Sequence, residues 1–170
     1  MKIDFKKINK ICVLYVSRTL GDSLWFTLLP KLLKKNFPEK NISVTSASQV
    51  TTDIFTNNPH IDEIIEVYDK EKRYEKLQEE IIKRDFDLLF VINIFSGSNQ
   101  NKLFKIADNS NIPLVVVQET KSGEEKKKFD LVVPFKDEMI KKYKERTKHT
   151  SEIFLDIGRY LGLNLDAKER

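Results

Sequence analysis

Five consecutive apolar residues, Leu88-Leu89-Phe90-Val91-Ile92, constrain this chain more than any other feature. A strand with no polar face must be covered on both sides, which a parallel sheet between two layers of helices provides. Comparable runs recur at Ile11–Val16, Ile42–Thr45, Glu63–Val67, Leu114–Val117 and Leu131–Val133, with helical or turn-forming stretches between them. The strand Asp87–Ile92 is thus one of a β/α alternation. The expected fold is α/β, a Rossmann-like, doubly wound, mostly parallel sheet.

The first run feeds a polar turn, Ser17-Arg18-Thr19-Leu20-Gly21-Asp22, and then a long apolar helix. In open parallel sheets ligands sit beyond the carboxyl ends of the strands, so this turn is expected to face a crevice. The helix carries Leu24, Leu28 and Leu32 on one row and Trp25, Leu29 and Leu33 beside it. Pro30 predicts a kink or break around 26–30, because proline lacks the amide donor and clashes with the preceding turn. Lys70–Arg84 reads as a second helix with Tyr74, Leu77, Ile81 and Ile82 inward, and Ser151–Leu163 as a closing helix with Ile153, Phe154, Ile157, Tyr160 and Leu161 inward and Gly162 as its cap. KSGEEKKK at 121–128 reads as a charged loop, and the basic run 141–146 as a solvated helix face, with an anionic membrane or lipid as the alternative partner.

Composition excludes several function classes. The 170 residues suit one domain, expected over 1–165 with 166–170 as a linker or truncation end. Thirty basic and 26 acidic residues leave a net charge of +4, too small to mark a nucleic-acid partner, and no aromatic-basic module supports one. The single cysteine, Cys12, forbids an intramolecular disulfide and fits a reducing cytoplasm. The apolar run at 11–16 is too short for a signal peptide or a membrane span. With glycine only at 21, 97, 123, 158 and 162, neither a dinucleotide fingerprint nor a P-loop can be written. No cofactor site follows. His60 and His149 have no metal-type neighbours, and no metal site is expected.

The stretch VSRTLGDSLWFTLLPKLLKKNFP resembles the opening of the family 9 glycosyltransferases, the ADP-heptose:lipopolysaccharide heptosyltransferases and their relatives. Further similarities follow in order: Asn58-Pro59-His60-Ile61-Asp62-Glu63-Ile64-Ile65, then Phe86-Asp87-Leu88-Leu89-Phe90-Val91-Ile92-Asn93 with Ser96-Gly97-Ser98, and finally His149 with Glu152 and Leu161-Gly162-Leu163. The resemblance implies one half of a GT-B architecture, the N-terminal domain that binds a glycan or glycolipid acceptor at the inner face of the membrane. The nucleotide-sugar donor, of the ADP-heptose kind, would need a C-terminal domain that has no counterpart in this sequence.

The resemblance also implies that Asp22 is the general base for the acceptor hydroxyl. A carboxylate within hydrogen-bond reach suits that role, while the local sequence leaves Asp22 open as the cap of a helix starting near Ser23. Ser17, Arg18 and Thr19 are the expected acceptor contacts, Arg18 through paired donors to an anionic group. Gly21 is expected to permit an unusual turn and close approach of a substrate. Ser96 and Ser98 follow the fourth strand at the crevice edge, as acceptor contacts or as a helix cap. The chain departs from the family at Ser46-Ala47-Ser48-Gln49, neutral where basic acceptor contacts are expected. Two other classes remain: a non-catalytic binding or scaffold module, and an unrelated flavodoxin-like cofactor domain.

Overall fold

A computed structural model of the chain describes residues 3–92, 100–118, 129–133 and 151–166. The apolar runs become β1 (Lys10–Tyr15), β2 (Asn41–Ser46), β3 (Glu63–Glu66), β4 (Leu88–Ile92), β5 (Leu114–Gln118) and β6 (Leu131–Val133). All five neighbouring pairs are parallel, and the order across the sheet is β3-β2-β1-β4-β5-β6. This is the doubly wound, Rossmann-like sheet expected, with its reversal of winding between β1 and β4. Among the described residues no helix is long and apolar enough to cross a membrane.

Alternation along each strand explains the two-sided burial. In β1, Ile11, Val13 and Tyr15 face one layer while Cys12 and Leu14 face the other; in β4, Leu88, Phe90 and Ile92 oppose Leu89 and Val91 in the same way. The first layer contains α1 (Leu20–Phe26), α2 (Leu28–Asn36), α3 (Gln49–Phe55) and a later helix over Ser151–Tyr160. These supply Phe26, Leu29, Leu33, Phe55, Phe154 and Ile157 to one core. On the other face lie α4 (Arg73–Lys83) and α5 (Gln100–Asn109), with Leu77, Ile81, Leu103 and Ile106. The helix at 151–160 is α6. Burial leaves the Cys12 thiol well above its usual range, an inert core group.

The break expected near Pro30 falls at Thr27. Its hydroxyl donates to Leu24 O at 2.7 Å, closing α1, and its carbonyl accepts from Lys31 N at 3.2 Å, opening α2. Pro30 thereby occupies the first turn of α2, where a missing amide leaves no bond unmade. Gly162 ends α6 at φ +73°, with its amide on Arg159 O and that of Leu163 on Gly158 O. Three expected inward residues are instead largely exposed: Leu24, Ile82 and Tyr160. Each lies at the margin of its helix's apolar stripe, where a wide stripe predicted from spacing extends past the surface the sheet can cover.

The amino edge of the sheet is fastened by carboxylates. Asp87, just before β4, accepts the amides of Asn9 and Lys10 at 2.8 and 2.9 Å, at the start of β1. Asp62, before β3, accepts Ile42 N of β2 at 2.7 Å and pairs with Lys34 at 2.7 Å. Asp130, before β6, accepts Val115 N of β5 at 2.8 Å. Each aspartate thus ties its own strand to the neighbour.

Candidate functional site

At the opposite, carboxyl edge, β1 ends at Tyr15 and the chain turns through residues 16–19 into α1. Thr19 is the extended residue before the helix (φ −101°, ψ 142°), and Ser23 N donates to its carbonyl at 3.2 Å. The helix therefore starts at Leu20, three residues earlier than expected, and Asp22 lies in its first turn instead of capping it. Gly21 is likewise helical, without a positive φ, and a Cβ built there meets no atom within 4 Å. The expected need for glycine in an unusual turn is thus overturned, because the turn is completed before residue 21.

The structure places five of the expected site residues on one turn. Ser17 Oγ donates to Asp22 Oδ2 at 3.3 Å, accepts from Thr19 N at 3.2 Å and lies 3.3 Å from Thr19 Oγ1. Arg18 and Thr19 are exposed on the same turn, and Gly21 is exposed one residue before Asp22. The carboxylate of Asp22 is half-buried and, among the described residues, hydrogen-bonded only through that one long contact. Ser96 and Ser98 lie outside the described residues, as do the loop at 121–128, the basic run at 141–146 and His149.

Beneath the turn is a set of hydroxyls that the sequence reading did not single out. Thr51, fully buried in α3, donates to Ser17 O at 3.2 Å. Ser23 Oγ lies 3.2 Å and Ser48 Oγ 3.0 Å from Thr51 Oγ1. A second relay runs from Tyr68 Oη to Thr52 Oγ1 (2.6 Å), to Ser46 Oγ (2.8 Å) and on to Ser48 O (3.1 Å). The neutral Ser46-Ala47-Ser48-Gln49 stretch therefore has a structural task, since Ser48 caps α3 by accepting from Thr51 N at 3.3 Å. A density of serine and threonine directly after β2 was the available signal. Below them the Tyr15 ring stacks on Phe26, centroids 4.1 Å apart. Burial raises the Tyr15 phenol well above its usual range, and the negative charge of Asp22 adds to the shift; Ser17 opposes it without reaching hydrogen-bond geometry.

The turn offers the Asp22 carboxylate beside the Ser17 and Thr19 hydroxyls and the Arg18 guanidinium, at the carboxyl end of β1. That combination suits a ligand rich in hydroxyls, each able to donate to the carboxylate and to accept from a neighbour.

Comparison with solved structures identifies the fold. A glycosyl transferase family 9 protein from Veillonella parvula DSM 2008 superposes over 99% of this chain with a TM-score of 0.72 at 18% identity. The chain shares the fold of a family 9 glycosyltransferase. The family 9 fold here spans 45% of that protein's length. An E. coli ADP-heptose lipopolysaccharide heptosyltransferase II matches over 76% of this chain and 36% of its own, with a TM-score of 0.56 at 19% identity. No family model matches the sequence, and no curated protein matches it in sequence. The likeness is carried by the backbone.

Proposed function

We propose that this chain is the acceptor-binding part of an inverting glycosyltransferase, which moves heptose or a related sugar from a nucleotide sugar to a lipopolysaccharide-type glycan. The observation that carries the reading is the family 9 fold over nearly the whole chain, with the half-buried carboxylate of Asp22 at the carboxyl end of its first strand. As the acceptor oxygen attacks the anomeric carbon, its proton passes to Asp22 and the nucleotide leaves from the opposite face with the bonding electrons, inverting the centre. Ser17 steadies the carboxylate, and Arg18 takes an anionic group of the acceptor. The donor is held by a part of the enzyme outside this chain, so the 170 residues alone bind acceptor without transferring sugar.

The test has two stages. A deacylated lipopolysaccharide-core glycan is titrated calorimetrically into the 170-residue chain and into its Arg18→Ala variant, with binding weakened in the variant. Nucleotide release from ADP-heptose is then followed in the native protein that carries this sequence, with and without Asp22→Asn. Transfer by the isolated chain would refute its dependence on a further part. An Asp22→Asn protein as active as wild type would leave a non-catalytic role for this fold.

A further inference from the structure

The turn that carries Ser17 and Asp22 is not held by its own residues alone. Among the described residues, its backbone accepts a hydrogen bond from a hydroxyl 34 residues along the chain, in a different helix. Assigning each proton shows how much depends on it. Ser23 Oγ directs its hydrogen to Thr19 O at 2.8 Å. Ser48 Oγ accepts from Thr51 N, which leaves its own hydrogen for Thr51 Oγ1 at 3.0 Å. Thr51 has a single hydroxyl hydrogen, and two acceptors compete for it, Ser17 O and Ser23 Oγ, both at 3.2 Å. Thr51 and Ser23 are both fully buried. The Thr51 hydroxyl therefore stands where the start of α3, the first turn of α1 and the backbone of the turn between β1 and α1 meet.

We propose that Thr51 is the positioning residue of the candidate site: its hydroxyl fixes the Ser17 carbonyl, and through the Ser17 side chain sets where the Asp22 carboxylate stands. Thr51 itself touches no reacting atom. Its place in catalysis rests on the reading of Asp22 as the base, whereas its hold on the turn does not. The contacts it controls are long, 3.2 to 3.3 Å. Hydrogen bonds around catalytic groups commonly tighten when a ligand arrives, and Thr51 supplies the fixed point against which this turn tightens.

The experiment is amide hydrogen exchange by NMR on the 170-residue chain and its Thr51→Val and Thr51→Ser variants. The reporters are the amides of Thr19, bonded to Ser17 Oγ, and Ser23, bonded to Thr19 O. Valine keeps the branched shape and removes the hydroxyl, so both amides are expected to exchange about tenfold faster, the size of effect that follows loss of one buried hydrogen bond. Serine keeps the hydroxyl and is expected to hold both near wild-type rates. The proposal is overturned if Thr51→Val leaves Thr19 and Ser23 unchanged, or if Thr51→Ser opens the turn as far as valine does. It is equally overturned if Phe90, in the middle of β4, accelerates as much as the turn, since the hydroxyl would then serve general stability. Failure of the sugar-transfer reading would appear elsewhere, as unchanged transfer in Asp22→Asn, while the exchange pattern stood.

Discussion

The two ends of this sheet use the same side-chain chemistry in opposite ways. At the amino edge, Asp62, Asp87 and Asp130 each accept the amide of a neighbouring strand at 2.7 to 2.9 Å, and Asp62 also pairs with Lys34. The amides of Lys10 and Asn9 hold the Asp87 carboxyl below the usual carboxylate range. At the carboxyl edge, Asp22 accepts one hydroxyl at 3.3 Å. Carboxylates at the first edge are committed to holding strands together. Among the described residues Asp22, at the second edge, accepts only that one bond and leaves most of its lone pairs open, where an open parallel sheet presents its crevice.

Exchanging the two roles by mutation should give opposite results. Asp22→Asn in the native protein is expected to lower sugar transfer by on the order of 10²–10⁴-fold, the usual contribution of a positioned acid or base. Its unfolding free energy should move by no more than about 0.5 kcal/mol, as for a surface change that breaks no buried network. Asp87→Ala should do the reverse. Removing an ionised acceptor from two backbone amides is expected to cost about 2 kcal/mol, read from urea denaturation of the isolated chain, with acceptor binding retained. A loss of stability in Asp22→Asn as large as that in Asp87→Ala would place Asp22 among the structural latches and end the contrast.

Acid sharpens the same comparison. Because the folded-state pKa of Asp87 is depressed, the stability it contributes is fully present above the unfolded value of about 3.9 and is lost as pH falls through the lower, folded value. Denaturation as pH falls below about 5 should therefore be less steep in Asp87→Ala than in wild type. Asp69 titrates at about 2 through the amides of Lys72 and Glu71 and the Lys76 ammonium, so part of the acid sensitivity remains in both proteins. Equal slopes would mean that the amides of Asn9 and Lys10 do not discriminate the ionised form of Asp87.

The sheet was legible because its strands are apolar on both faces, a pattern that few other folds can bury; all six runs became strands within a residue or two. Pro30 announced the break at Thr27, and Gly162 the end of α6, because each acts through its own backbone. The start of α1 was not legible: the local sequence offered Asp22 as the cap of a helix starting near Ser23, whereas Thr19 holds that position with no side-chain cap bond. The latches were hidden for a different reason. A lone aspartate before a strand has no periodic signal, and its task exists only once β1 and β4, or β2 and β3, lie side by side. The same holds for Thr51, whose partners sit 28 and 34 residues away. That Asp22 follows the first strand at the carboxyl edge was legible, while its single long contact emerged only from the assembled turn.

The smallest effect concerns a group left unpaired beneath that turn. Among the described residues, Tyr15 Oη is buried without a hydrogen-bond partner, while the Tyr15 ring contributes to the core by stacking on Phe26. A buried hydroxyl that makes no bond carries its desolvation penalty uncompensated, so Tyr15→Phe keeps the stack and removes the penalty. The expected gain is about 1 kcal/mol, seen as a rise in Tm of roughly 2–4 °C for a chain of this size. Tyr68→Phe is the matched control, since its hydroxyl donates to Thr52 Oγ1 at 2.6 Å and its loss should lower stability. If Tyr15→Phe proved destabilising as well, the phenol would be bonded to Ser17 in solution. The carboxyl edge would then be fastened from below almost as firmly as the amino edge, and Asp22 would owe its freedom to solvent exposure alone.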